Sequence, residues 1–92
     1  MIIRILGEGQ FRFDDSNLGD LNKIDNQIVD HVKNGDHDGF FQELVRMISM
    51  VKELGKPVNE LEIIPSDIIV PPADLSFQEA RNIFCNDGLI KG

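Results

Sequence analysis

Apolar residues come in two short runs between Ile2 and Phe13 and then recur every three or four positions, so the chain predicts strands first and helices afterwards. Ile2-Ile3-Arg4-Ile5-Leu6 and Phe11-Arg12-Phe13 are β-branched or aromatic runs separated by Gly7-Glu8-Gly9-Gln10. That pattern predicts an N-terminal β-hairpin whose loop glycines take positive φ. Phe11 and Phe13 fall on one strand face and Arg12 on the other, as in a sheet covered on one side and wet on the other. Asp14-Asp15-Ser16-Asn17 is a cluster of helix-capping residues, and after it Leu18, Leu21, Ile24 or Asp25, Ile28 and Val32 keep helical spacing. A first amphipathic helix therefore ends near Asn34-Gly35. Asp36 can cap a second helix, with Asp38 in its first turn favoured by the positive end of the macrodipole. Phe40/Phe41, Leu44/Val45, Met47/Ile48, Val51 and Leu54 give that helix a wide apolar stripe, closed by Gly55 with Pro57 beyond. A link of a few residues around Gly35 makes the two helices antiparallel neighbours.

Between residues 58 and 72 the periodicity weakens. Leu61, Ile63, Ile64, Ile68, Ile69 and Val70 are strand-like, but Pro65, Pro71 and Pro72 interrupt any central strand. The expectation is an extended or edge segment with one helical turn at Ser66-Asp67. Ser76-Phe77-Gln78-Glu79 fits the capping box, in which Ser accepts from the N–H of Glu and Glu reaches back to the cap N–H. It starts a short third helix with Phe77, Ala80, Ile83 and Phe84 inward, stopping at Asn86-Asp87-Gly88, and Leu89-Ile90 can add a short last strand. The predicted fold is α+β: an N-terminal hairpin packed on an antiparallel helical hairpin, with a proline-containing extended segment, a short third helix and a C-terminal strand.

Composition narrows the functional classes. Ninety-two residues make one domain, 1–92, and 41% hydrophobic with 27% charged residues is the make-up of an ordinary globule. The formal charge of −7 opposes the phosphate neutralisation that supplies non-specific nucleic-acid affinity, so nucleic acid is not an expected partner. No apolar run approaches the roughly 18 residues of a membrane span, and Met1-Ile2-Ile3-Arg4 lacks the n-region and h-region of a signal peptide, so a cytoplasmic protein is expected. Direct binding to anionic lipid does not fit so acidic a surface. A lone Cys85 offers neither an internal disulfide nor a thiolate metal site.

Each candidate for chemistry has a structural reading that serves better. Gly7-Glu8-Gly9 ends a strand in G-x-G, but Arg12 stands where a dinucleotide fingerprint has its third glycine, and strand continues where a helix is needed. A hairpin turn accounts for it. Asp36-His37-Asp38 with His31 upstream is the only metal-capable cluster, and its aspartates are already explained as cap and dipole partners. Asp14-Asp15 and Glu60/Glu62 fall in exposed turns, where capping and solubility are the default roles, and Cys85 lies on or near an apolar helix face. No catalytic, cofactor-binding or metal residue is assigned. Met47-Ile48-Ser49-Met50-Val51 reads either as core or as an adaptable hydrophobic surface, since methionines suit partner grooves.

The chain also resembles the phage shock protein A-associated (PspAA) family. Carrying the resemblance are Ile2-Ile3-Arg4-Ile5-Leu6-Gly7-Glu8-Gly9-Gln10-Phe11, Leu21-Asn22 with Asp25, Pro65-Ser66-Asp67 with Val70-Pro71-Pro72-Ala73-Asp74, and Asp87-Gly88-Leu89-Ile90. It implies a non-enzymatic cytosolic adaptor that associates with a coiled-coil, membrane-remodelling PspA-like protein in the envelope stress response and is recruited to the membrane through that partner. No catalytic residues transfer with it. The segment from Pro65 to Asp74 combines stiffening prolines with Ile68, Ile69 and Val70, more apolar side chains than a turn requires. Ile68, Ile69, Val70, Met47 and Met50 are therefore the candidate interaction residues, with sealing of the helical hairpin as the alternative role for the loop. Two other functional readings remain: a small ligand-binding protein or enzyme using Gly7-Glu8-Gly9 with His37 or Asp67, and a self-associating structural protein.

Overall fold

The computed structural model describes residues 1–59, 61, 62 and 64–84, with the side chains of Ile83 and Phe84 excepted. Strands β1 (Ile2–Ile5) and β2 (Gly9–Arg12) form the expected antiparallel hairpin, pairing Ile3 with Phe11 and Ile5 with Gly9. The Glu8 N–H donates to the Ile5 carbonyl at 2.9 Å, and Gly7 takes φ 88° inside that tight turn. Gly9 opens a strand and not a helix, so the G-x-G segment lacks the setting a dinucleotide site requires.

A 3-10 turn (Asp15–Asn17) leads into α1 (Leu18–Lys33), and α2 (His37–Leu54) returns antiparallel after a link in which Gly35 takes φ 70°. Capping at the first helix starts earlier than Asn17: the Asp14 carboxylate accepts from the Ser16 N–H at 2.9 Å. Hydrogen bonds from the Ser16 backbone and hydroxyl, aided by the N-terminal ammonium, hold Asp14 below the ordinary aspartate pKa. A carboxylate with a depressed folded pKa stabilises above the ordinary value of 3.8 and loses that contribution as pH falls through its own lower value. Asp14→Ala should thus melt below the wild type at pH 7, with the difference in Tm shrinking steadily when both are melted in increasingly acidic buffer. At α2, Asp36 accepts from the Gly39 N–H at 3.0 Å with one carboxylate oxygen and meets His31 Nδ1 at 3.2 Å with the other.

After α2 the chain forms two short strands, β3 (Lys56–Pro57) and β4 (Ile68–Val70), in a four-stranded sheet of order β3-β2-β1-β4. β3 is antiparallel to β2, and β4 is parallel to β1 with Ile3 opposite Ile68, Arg4 opposite Ile69 and Ile5 opposite Val70. Pro57 therefore joins an edge strand directly after the helix stop, an edge being where proline is tolerated. Gly55 permits the sharp return: a Cβ there would lie 2.5 Å from the Val51 carbonyl and 3.1 Å from Phe11 Cβ. The helical turn expected at Ser66-Asp67 is replaced by pairing with β1. Asp67 donates its N–H to the Ile2 carbonyl at 2.8 Å and accepts the Ile2 N–H on its carboxylate at 2.7 Å, which holds the backbone extended.

Helices α1 and α2 cover one sheet face. The core joins Ile3, Ile5, Phe11, Phe13, Ile68 and Val70 from the sheet side to Leu21, Ile24, Ile28, Val29 and Val32 of α1 and Phe40, Leu44, Met47, Ile48 and Val51 of α2. Each such side chain contributes about 1.5–3 kcal/mol when fully buried. α3 (Phe77–Phe84) packs on α1 through Ala80, and its Phe77 stacks on His37 with ring centroids 3.8 Å apart and meets Phe40 edge-on at 5.8 Å. The Ser76-Glu79 cap forms in part. The Glu79 N–H donates to Ser76 Oγ at 3.2 Å, but the Glu79 carboxylate accepts from that hydroxyl at 2.9 Å instead of from the cap N–H. The expected helix stop at Asn86-Asp87-Gly88, the strand at Leu89-Ile90 and Cys85 lie outside the described residues.

Candidate interaction surface

With β3 and β4 at opposite edges, the chain between them must cross a face of the sheet, and the helices occupy one. It crosses the other. Gln10, on the face away from the core, donates its side-chain amide to the Ile64 carbonyl at 2.7 Å and to Ser66 Oγ at 2.8 Å. Arg12, on the same face, reaches Glu62 at 3.2 Å. Asn59 opens this crossing with a side-chain turn that accepts the Leu61 N–H at 3.0 Å. A polar hollow of about 390 Å³ opens between loop and sheet beside Arg4, Gln10, Asn59 and Glu62. Its acids are engaged by cations, Glu62 by Arg12 and Glu8 by Lys52 at 2.6 Å.

The described residues of the loop leave Ile69 and Leu6, on the β1–β4 side, exposed. Ile69 stands there 51% exposed, opposite Arg4 in the strand register, and Leu6 just past the end of β1 is 45% exposed. Among the described residues Arg4 meets no carboxylate at ion-pair distance, whereas Arg12 on the same face does.

The five residues singled out from the sequence separate across the sheet. Ile68 and Val70 point into the core, where they share one cluster with the fully buried Met47. Met50 is half-buried at the margin of that cluster, and Ile69 alone projects from the opposite face. Strand alternation causes the split within β4: neighbours in a strand face opposite ways, so three consecutive apolar residues cannot all be exposed or all be core on one side. Missing from the sequence reading were Arg4 and Leu6. The signal for Arg4 was present, since it is the polar member of Ile3-Arg4-Ile5 and must face away from the core. On the helical side, Phe41 and Val45 are exposed along α2, and a shallow groove of about 260 Å³ runs between Val45, Ile48 and Ala73.

The histidines are part of the helical architecture. His31 faces Asp36, with its ring close to Gly39, while His37 carries the Phe77 stack. Among the described residues no three His, Cys, Asp or Glu side chains form a group able to hold a metal ion. Nor is any helix of the described residues long and apolar enough to cross a membrane.

These features define a small α+β protein with one sheet face sealed by helices and the other half-covered by a crossing loop. The chain belongs to the family of PspA-associated proteins (PspAA), whose model matches residues 1–92. No curated protein and no solved structure matches it.

Proposed function

We infer that this protein is a non-enzymatic interaction module, a cytoplasmic accessory that binds a PspA-like coiled-coil protein in the envelope stress response and reaches the membrane through that partner. The observation that carries the reading is the family match over the whole of residues 1–92. Its support from the molecule is apolar surface in excess of what the fold uses. Ile69 and Leu6 stand about half exposed on a protein that buries comparable residues elsewhere, and exposed apolar side chains grouped on one face mark association surfaces. Within the candidate set, Ile69 is the side chain a partner touches and Ile68 and Val70 fix the strand that presents it, while Met47 and Met50 belong to the helical side of the core.

Anything that binds the folded chain and not the unfolded one raises its stability by mass action. A purified PspA-like protein at about 100 times its Kd should add about 2.7 kcal/mol, which for a domain of this size is roughly 10–20 °C in Tm. Melting the chain alone and with that excess, followed by a probe specific to the chain, checks this. An unchanged Tm at partner concentrations well above micromolar counts against the reading.

A further inference from the structure

The outer face beside β4 joins three features that the core does not need. The first is the exposed Ile69 side chain with Leu6 close by. A second is the backbone of Ile69 itself. The Leu6 N–H donates to the Val70 carbonyl at 3.0 Å, so the peptide groups of Val70 face β1. Backbone groups alternate along a strand, which turns the N–H and C=O of Ile69 toward the outer side of β4, the end of the sheet order among the described residues. Third is Arg4, paired in register with Ile69 and free of any carboxylate at ion-pair distance among the described residues.

An arginine that meets no acid among the described residues is conspicuous on a chain with 16 acids, 9 bases and a net charge of −7. Arg12, its neighbour on the same face, shows the usual outcome here, since an acid of the chain's own neutralises it. No acid among the described residues takes up the donors of Arg4, and the planar fork of arginine suits a carboxylate. Pro71 and Pro72 come directly after β4 and carry no N–H, so an added strand can pair at Ile69 and extend no further. This limits the edge to a short docking contact and blocks open-ended strand addition.

We propose that Ile69, Leu6 and Arg4 form a docking surface for an extended segment of a partner protein that presents a carboxylate beside an apolar side chain. The segment runs along β4 and exchanges backbone hydrogen bonds with Ile69. Its apolar side chain lies against Ile69 and Leu6, and its carboxylate meets Arg4. A second copy of this chain is a poorer occupant, because two bodies of charge −7 repel each other. The assignment rests on association with a PspA-like protein and specifies where and by what chemistry that partner is held.

The test titrates a purified PspA-like protein into the full chain by calorimetry, using the wild type, Arg4→Glu, Arg4→Lys, Ile69→Asp and, as a control on the helical side, Phe41→Ser. Urea unfolding of each variant confirms that it folds. Arg4→Glu should weaken binding by at least about tenfold, with Arg4→Lys retaining much of the affinity. Ile69→Asp, which sets an acid of the chain's own beside Arg4, should weaken it similarly, and Phe41→Ser should bind as the wild type does. Wild-type affinity should also fall as salt is raised. If the wild type binds and folded Arg4→Glu and Ile69→Asp bind equally well, the docking surface is wrong while the association stands. If the wild type does not bind, the association itself fails and takes this assignment with it. A dimer of the chain alone in sedimentation that Ile69→Asp dissolves would make a second copy the occupant and overturn the proposal.

Discussion

Phe40→Ala should lower the free energy of unfolding by about 3–5 kcal/mol, whereas Phe41→Ala, one position along the same helix, should cost about 1 kcal/mol or less. Phe40 is 3% exposed and Phe41 51% exposed. Phe40 lies where α2, α3 and the core meet, and its ring also makes the edge contact with Phe77 at 5.8 Å, so its removal leaves a cavity and strips a partner from the only aromatic of α3's first turn. A domain of this size has about 5–15 kcal/mol of stability in total. The first substitution thus removes a large share of it, and at about 4–8 °C per kcal/mol the Tm falls by well over 10 °C. Urea titration of both variants, with the slope checked against wild type, makes the comparison. Equal destabilisation by the two would mean that α2 is rotated about its axis by about one residue, roughly 100°, relative to the core.

This pair shows what the sequence could and could not fix about the helices. Spacings of three and four placed α1 and α2 within a residue or so of their ends, because caps at Asp36 and Gly35 and the stop at Gly55 are local chemistry. But adjacent apolar residues such as Phe40/Phe41 and Leu44/Val45 differ by one step around the helix, and either member satisfies the pattern. Contact with the sheet and with α3 decides between them, and the wide stripe resolves into buried Phe40, Leu44, Met47, Ile48 and Val51 with exposed Phe41, Val45 and Leu54. The small strands were illegible for another reason. β3 has two residues, too few for any period, and its proline reads as a stop rather than as an edge. β4 was anticipated as an edge segment, but its parallel pairing with β1 depends on Asp67 reaching Ile2 across 65 positions of sequence, which no local pattern encodes.

The candidate surface was legible in the same uneven way. Ile68-Ile69-Val70 carries no alternation, so the sequence marks the segment without telling its faces apart. Pairing opposite Ile3, Arg4 and Ile5 supplies the missing parity and selects Ile69. Met47 and Met50 lie three apart on α2, yet one is enclosed and the other stands at the core's margin, since three residues fall short of a full turn and carry Met50 around the axis toward the edge of the buried face. Arg4 could have been found from the alternation of the first strand. That no acid among the described residues lies at ion-pair distance from it could not, because that depends on where the crossing loop lays down Glu62.

Asp25→Ala should destabilise the protein by about 1–3 kcal/mol, the range for leaving the partners of a buried polar group unsatisfied. Asp25 is fully buried on α1 between Ile24 and Ile28, and it is engaged in the interior. The helical spacing allowed either Ile24 or Asp25 as the inward position, and the fold takes both, so a carboxylate enters a stripe otherwise made of Leu21, Ile24, Ile28 and Val29. Leaving water is costly for such a group unless polar contacts replace the lost hydration. Removing it leaves those contacts unanswered in a place water does not reach, and Asp25→Leu, although it restores volume, leaves them unanswered too. Asp25→Asn keeps the shape and part of the hydrogen-bonding capacity, so the expected order of stability is wild type, then Asn, then Ala and Leu. Asp20→Ala, on the exposed side of the same helix, should stay within about 0.5 kcal/mol. Were Asp25→Leu instead as stable as the wild type, Asp25 would contribute no net stability, and its place in the stripe would have to be explained by the orientation it imposes on α1.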